Sequence, residues 1–124
     1  MNAKELLGKQ VTVTIDRPLG SRHPKHKSIL YYVNYGYVKG LIAADNEEQD
    51  AYILGVDEPV EVFTGKVWAV IHRNNDVEDK LVVCPDNYHP TKETISEQVR
   101  FQEQYFDYEI ILSEEAEDKN NLNL

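Results

Sequence analysis

The chain has 124 residues, 41% of them hydrophobic and 28% charged, and carries a net charge of −9. That length builds one sizeable core rather than two, and no apolar run approaches the roughly 18–20 residues of a membrane-spanning helix. So acidic a surface repels nucleic-acid phosphates, which argues against general DNA or RNA binding and against an oligonucleotide-binding barrel. The stretch Met1–Gly8 lacks the basic-then-apolar layout of a secretory signal. Cys84 is the only cysteine and sits in an apolar run, so no disulfide can form within the chain and a buried, reduced thiol is expected. A cytoplasmic location, with no membrane contact, follows as the expectation.

Taken in chain order, Gln10 to Asp16 alternates, with Val11, Val13 and Ile15 on one face, and reads as a half-buried strand. Arg17-Pro-Leu-Gly-Ser21 is a turn, because proline removes a ladder donor and glycine permits the reversal. Arg22 to Lys27 is a basic run, either a solvated loop or a segment facing a site. Its His23 and His26, like His72 and His89, show no metal-ligand spacing and read as surface or hairpin residues. Ile29–Val33 and Tyr35–Lys39 read as two strands, or as one strand bent at Gly36. Ala51–Val56 is a further strand, and Lys66–His72 with Lys80–Cys84 form a hairpin about the polar turn Arg73–Asp79. Trp68 alternates with apolar neighbours there and belongs to the core. Short strands at this spacing predict a mainly β (α+β) fold, a small five-stranded OB-like antiparallel barrel.

From Thr91 to Phe106 the pattern becomes helical. Thr91 can cap, Glu93 favours the helix N-terminus, and Ile95, Val99 and Phe106 give an apolar side, with Phe101 and Tyr105 alongside. The expected element is one amphipathic helix packed outside the barrel. Tyr108–Leu112 either extends it or forms a last strand. The barrel domain is expected over 1–112. The segment 113–124, where Glu114, Glu115, Glu117 and Asp118 face only Lys119, reads as a disordered acidic tail.

The chemistry concentrates in two neighbouring segments. Tyr31-Tyr-Val-Asn-Tyr-Gly-Tyr37 is rich in phenol hydroxyls, and Asp45-Asn-Glu-Glu-Gln-Asp50 places four carboxylates within six residues. Carboxylates so crowded repel one another unless a cation sits between them. Hydroxyls and lysines suit the phosphate such a cation carries, so a metal–phosphate site lined by Tyr31 and Tyr35 is expected. Asp45 and Glu47, two apart, share a face if extended. The plainer readings are a solvated acidic loop for 45–50, ordinary barrel tyrosines for Tyr37 and Tyr52, and a weak surface ion pair for Glu78 and Lys80.

Tyr31-x-x-Asn-Tyr-Gly-Tyr37 followed by Asp45-x-Glu-x-x-Asp50 resembles the signature of the soluble family I inorganic pyrophosphatases, in which YPxNYGY precedes D-G-D-P-x-D. Tyr32 replaces the usual proline, and Asn46 and Glu48 replace the usual glycine and proline. Asp16-Arg-Pro-Leu-Gly-Ser21 with Lys25 is similar to the early E-x-P-x-G-S…K of that family. Glu78-x-Lys80 before Leu81-Val-Val is similar to its D-x-K-L-V, and Phe101-Gln-Glu-Gln-Tyr105 to its F-x-x-x-Y-K. The chain departs from the pattern in three further places. The hairpin that carries a phosphate-binding arginine between Lys25 and Tyr31 is missing, Asn75 stands for a metal-site aspartate with Asp76 beside it, and Phe106 stands for a lysine.

The resemblance implies an OB-like barrel with helices outside and hydrolysis of inorganic pyrophosphate to two phosphates, with Mg2+ (or Mn2+) as cofactor. It implies Asp45, Glu47, Asp50 and Glu78 as metal ligands, and Lys25 and Lys80 as groups gripping phosphate. Tyr35 and Tyr105 would donate hydrogen bonds to the substrate, and Asp16 would lie at the edge of the metal site. Asp50 would orient the attacking water, with Tyr35 and Lys25 beside it in the catalytic group. The alternative is a non-catalytic barrel relative that binds a phosphate-bearing ligand or a protein partner. A trimmed barrel with exposed edges is expected to form homo-oligomers.

Overall fold

A computed structural model describes residues 2–121. After a single turn of 3-10 helix at Ala3–Leu6, the chain forms β1 (Gln10–Arg17), β2 (Asn34–Ile42), β3 (Glu48–Ile53), β4 (Val62–Arg73) and β5 (Asp79–Cys84). Helix α1 (Lys92–Glu103), β6 (Tyr108–Leu112) and α2 (Glu114–Asn121) follow. The sheet runs β1-β2-β3-β5-β4, and β4 pairs back with β1 to close a five-stranded barrel. Every seam is antiparallel except β3–β5, which is parallel. Closure leaves no free edge in the barrel itself.

At twelve residues β4 is long enough to serve three partners. Its first half pairs with β1, while its second half lies between β5 and β6. Tyr108–Leu112 is therefore a strand, which settles the choice left open by its sequence. Ile29–Val33, expected in a strand, instead joins a short loop closed by an isolated bridge between Arg22 and Leu30.

The central strands are buried on both faces, so their sequences are continuous apolar runs rather than alternating ones. Ala51, Ile53, Leu81 and Val83 point into the barrel, where Ala3 and Leu6 plug one end. Tyr52, Leu54, Val82 and Cys84 point outward beneath α1 and β6. A bulge between Val67 and Ala69 shifts the parity of β4. Val67 and Val70 thus face inward, whereas Trp68, Ala69 and Ile71 face the outer layer. Burial pushes the Cys84 thiol up to about 12, an inert group as expected.

Helix α1 starts at its cap: the Thr91 hydroxyl accepts from the Thr94 N–H. Its inward face carries Ile95 and Val99, and then the polar pair Gln102 and Glu103, all buried. Phe106 lies beyond the helix end. The acidic segment read as an unstructured tail forms α2 over Glu114–Asn121, anchored by buried Ala116 and by Lys66 Nζ, 3.1 Å from Glu115. The remainder of that segment, 122–124, lies outside the described residues. Among the described residues no helix is long and apolar enough to cross a membrane.

Candidate functional site

The tyrosine segment is the strand that assembles the site, and each of its marked residues has a structural task. Asn34 is fully buried at the start of β2. Its Oδ1 accepts from the Leu19 and Val60 N–H groups, and its amide donates to the Glu58 carbonyl, tying two connections to the barrel. Gly36 passes so close to β1 that a Cβ there would sit 1.9 Å from the Thr14 carbonyl oxygen. Tyr31 and Tyr35 turn their hydroxyls toward charged side chains.

Those hydroxyls open a continuous network. Arg17 donates to Tyr31 Oη at 2.7 Å, and that hydroxyl donates to Gln102 Oε1 at 2.6 Å. Gln102 Nε2 donates to Tyr52 Oη at 2.7 Å, and Tyr52 donates to Glu103 Oε2 at 2.6 Å. Arg73 grips Glu103 with two bonds, Nε to Oε1 at 3.0 Å and Nη2 to Oε2 at 2.8 Å, and reaches Glu78 at 3.0 Å. Lys80 Nζ lies 2.8 Å from Glu78 and 2.6 Å from Asp50 Oδ2, an atom that also accepts from Tyr35 at 2.8 Å. Every buried charge is thereby paired and hydrogen-bonded, the condition for burying it at all.

The open side of this network is a pocket of about 630 Å³. Its walls include Asp16, Arg17, Tyr35, Asp50, Glu78 and Lys80, with Tyr105 and Phe106 at the rim and His23 and His26 on the loop above. Phe106, where the resembled family has a lysine, lies under the Arg73 guanidinium, 3.6 Å from its ring centroid. The Arg17 guanidinium lies 5.7 and 5.6 Å from the Tyr31 and Tyr35 ring centroids, and no carboxylate pairs with it among the described residues.

Burial holds the Tyr35 phenol well above its usual range, so it is a neutral donor. Burial acts to lower Lys80, but Tyr35, Asp50 and the bonds to Asp50 and Glu78 outweigh it and raise it above an ordinary lysine. Arg73 likewise is raised on balance, with its bonds to Glu103 overcoming burial. Desolvation raises Asp16, Arg17 opposes the rise and Asp50 adds to it. Desolvation, then Arg17, His26 and Lys25, lowers His23. Its Nδ1 accepts from the Lys25 and His26 N–H groups at 3.0 and 3.1 Å, so the ring proton is on Nε2.

The structure brings together Tyr35, Asp50, Glu78, Lys80 and Tyr105 of the expected site, with Asp16 at its edge. Tyr31 is wholly buried behind Arg17 and acts as its support. Three expected residues are elsewhere. Lys25 is exposed on the loop and does not line the pocket. Asp45 and Glu47 form the tip of the β2–β3 hairpin, where Asp45 Oδ1 accepts from the Glu47 N–H and Asn46 adopts a left-handed φ of 67°. Asp45 thus caps a turn, and Glu48 accepts from the Gly40 N–H beside it. Glu47 precedes Asp50 by three residues, which in an extended segment puts it on the opposite face and roughly 10 Å away. Asp76, the neighbour of Asn75, caps Val77 N–H in an exposed turn outside the pocket.

The expected four-carboxylate metal set therefore does not converge. Among the described residues no group of three histidines, cysteines or carboxylates is placed to hold a metal ion. The position between Asp50 and Glu78 is taken by the Lys80 ammonium. The donors do not fit a resident two-metal centre.

Arg17, Arg73, Gln102 and Glu103 were not expected in the site. A signal did exist: Gln102 and Glu103 fall three and four residues after Val99, on the inward stripe of α1, where polar groups require buried partners. Arg17 carried none beyond its place at the end of an alternating strand.

No family model and no curated protein matches the sequence. Solved structures do match in fold. The inorganic pyrophosphatase from Ehrlichia chaffeensis aligns with a TM-score of 0.68 at 18% identity, over 95% of this chain and 95% of that one. The enzyme from Neisseria gonorrhoeae aligns at 0.66 and 17%, over 93% and 89%, and that from Thermus thermophilus at 0.58 and 14%, over 90% and 87%. At such identities the likeness establishes a pyrophosphatase-like fold, and function has to be argued from the site.

Proposed function

We propose that this chain is a phosphohydrolase of pyrophosphatase type, acting on the magnesium complex of inorganic pyrophosphate, with the cation brought by the substrate. The observation that carries this reading is the meeting, in one pocket, of an arginine that enters no ion pair among the described residues with the Tyr35–Asp50–Lys80 cluster. Arg17 offers a planar fork for phosphate oxygens. Tyr35 and Lys80 both bond Asp50 through Oδ2, and Oδ1 accepts no bond among the described residues. That oxygen is free to orient a water or touch a cation.

Charge decides how the substrate arrives. The pocket holds three carboxylates, Asp16, Asp50 and Glu78, against three cations, Arg17, Arg73 and Lys80. Glu103 behind Arg73 leaves one negative charge over. A bare polyanion gains nothing from such a balance. Magnesium is commonly held by one or two carboxylates plus substrate phosphates; Lys80 takes Asp50 Oδ2 and Glu78 Oε2, and the second oxygens of these side chains, 35% and 31% exposed, suit that mode. The neighbours' fold supports the reaction class without fixing the residues.

A second reading, a non-catalytic barrel that binds a phosphate-bearing ligand, is favoured by the withdrawal of Lys25, Asp45 and Glu47 from the pocket. Phosphate release from magnesium pyrophosphate by wild type and Asp50→Asn separates the two. Release by wild type that falls about a hundredfold or more in the variant, with the far-UV circular dichroism of the folded barrel retained, is the expected result. Equal traces from both proteins, with pyrophosphate still bound, would establish the second reading.

A further inference from the structure

The chain's two exposed tyrosines, Tyr32 at 63% and Tyr105 at 66%, are the only exposed Tyr, Phe or Trp side chains among the described residues. Both line a second cleft, of about 770 Å³, between the β1–β2 connection, the chain after β3 and helix α1. Ser28, Ile29 and Tyr105 line this cleft and the charged pocket alike, so the two are contiguous. Phe101 sets the geometry. It packs edge-on against Tyr31, the support of Arg17, at 5.2 Å, and against Tyr32 at 5.8 Å. One helical side chain thus positions both the phosphate pocket's arginine and the aromatic wall of the cleft.

The rest of the cleft combines aliphatic side chains, among them Leu19, Leu30 and Val56, and the carboxylates Asp57 and Glu97 with rings and neutral polar groups. Tyr88 lies opposite, held by Gln98 at 2.7 Å, and Arg100 and Gln104 flank the aromatic wall. Arg100 enters no ion pair among the described residues, and only the amide nitrogen of Gln104 is engaged, by the Phe101 carbonyl. Flat rings with unspent donors and acceptors around them suit a planar heterocycle that has hydrogen-bonding edges. A long acyl chain would make no use of the Arg100 guanidinium or the Gln104 amide. Pyrophosphate alone would leave the whole cleft unused.

We propose that the cleft receives the base of a nucleoside 5′-diphosphate or triphosphate whose phosphates occupy the adjacent charged pocket. This names the substrate class of the site and rests on the phosphate-binding reading above. The base lies against Tyr32 and Phe101, and the sugar passes Ser28, Ile29 and Tyr105. Hydrolysis of a diphosphate there breaks the same P–O–P bridge: water oxygen bonds to the terminal phosphorus, its proton passes to Asp50, and nucleoside monophosphate leaves.

Calorimetry with the full chain tests this without turnover. The probes are the magnesium complexes of the methylene-bridged analogues of pyrophosphate and of ADP, GDP, CDP and UDP. At least one nucleotide analogue is expected to bind wild type about tenfold more tightly than the pyrophosphate analogue, the gain a stacked base provides. Tyr32→Ala is expected to abolish that preference and leave the affinity for the pyrophosphate analogue unchanged. Exposed Tyr32 makes a folding failure in this variant avoidable, and Tyr32→Phe should retain the preference. If the pyrophosphate analogue binds and no nucleotide binds better, or if Tyr32→Ala leaves the preference intact, the cleft proposal is overturned while the pocket reading stands. If nothing binds, the pocket reading fails and the cleft proposal with it.

Discussion

Glu103 is the residue on which the buried network turns. It is fully buried and accepts two of the three bonds of the Arg73 guanidinium and the bond from the Tyr52 hydroxyl. Removing it strands a guanidinium whose side chain is only 5% exposed, with partly exposed Glu78 as its remaining partner. Loss of one member of a buried pair typically costs about 3–5 kcal/mol. Glu103→Ala is therefore expected to lower stability by that order in urea titration, whereas Arg73→Met with Glu103→Leu together should recover a substantial part. A single-variant loss below about 1 kcal/mol, the level of a surface pair, would show the network to be ornamental. Tyr35 was legible because hydroxyls bunched on a strand beside carboxylates have few other uses, whereas Tyr52 reads as an ordinary barrel tyrosine until its hydroxyl meets Glu103. Glu103 and Arg73 were not legible as a pair: the inward stripe of α1 places Glu103 four residues after Val99, yet the stripe alone does not say which cation it meets. Its partner is 30 residues away in sequence and declares itself only when β4 lies under α1.

At the scale of the element, strand β2 depends on glycine at one position. Its Gly36 faces Ile15 in the β1–β2 pairing, beside the bulge between Ile15 and Arg17, and the atoms a Cβ would meet are Thr14 and Ile15 backbone. No rotamer relieves a backbone clash, so Gly36→Ala should cost about 3 kcal/mol or more, at the upper end of overpacking. A melting temperature within the error of wild type would refute the close approach. The loop above the pocket makes a pH prediction. The neutral His23 ring accepts two N–H groups, and its folded pKa is below the ordinary 6.5. The unfolded chain then binds the proton more readily, so the loop's contribution is full above 6.5 and is lost as pH falls through the lower folded value. In an NMR titration the His23 midpoint should lie below 6.5, with protection of the Lys25 and His26 amides lost on the acid side; a midpoint at or above 6.5 rejects the capping role. Elements with a strict period were readable, as β1 and α1 were. The acidic hairpin tip was misjudged because local Asx bonding, invisible in charge density, satisfies Asp45. The segment forming α2 was misjudged because one alanine, Ala116, anchors an otherwise polar stretch.

For the whole molecule, net charge sets the terms of recognition. A chain at −9 with a pocket that carries no positive surplus cannot draw in a free polyanion by long-range attraction. The interaction of two unit charges near a protein surface is worth about 4 kcal/mol at 4 Å. A dication on the substrate, placed against Asp50 and Glu78, therefore converts a repulsive approach into an attractive one. Chelating magnesium should weaken pyrophosphate binding by more than about a hundredfold, a loss of roughly 3 kcal/mol. Replacing pyrophosphate by its magnesium complex should restore it in full. The effect should be far smaller in Asp50→Asn, where the cation has lost one of its two carboxylates. It should shrink only modestly with added salt, because pairs at the pocket wall are screened less than exposed ones. Equal affinity for pyrophosphate with and without magnesium would mean that Arg17 and Lys80 suffice, and that Lys80 leaves Asp50 and Glu78 when the ligand arrives. The outcome thus decides whether the pocket's resident ammonium or the substrate's own cation neutralises the incoming phosphate.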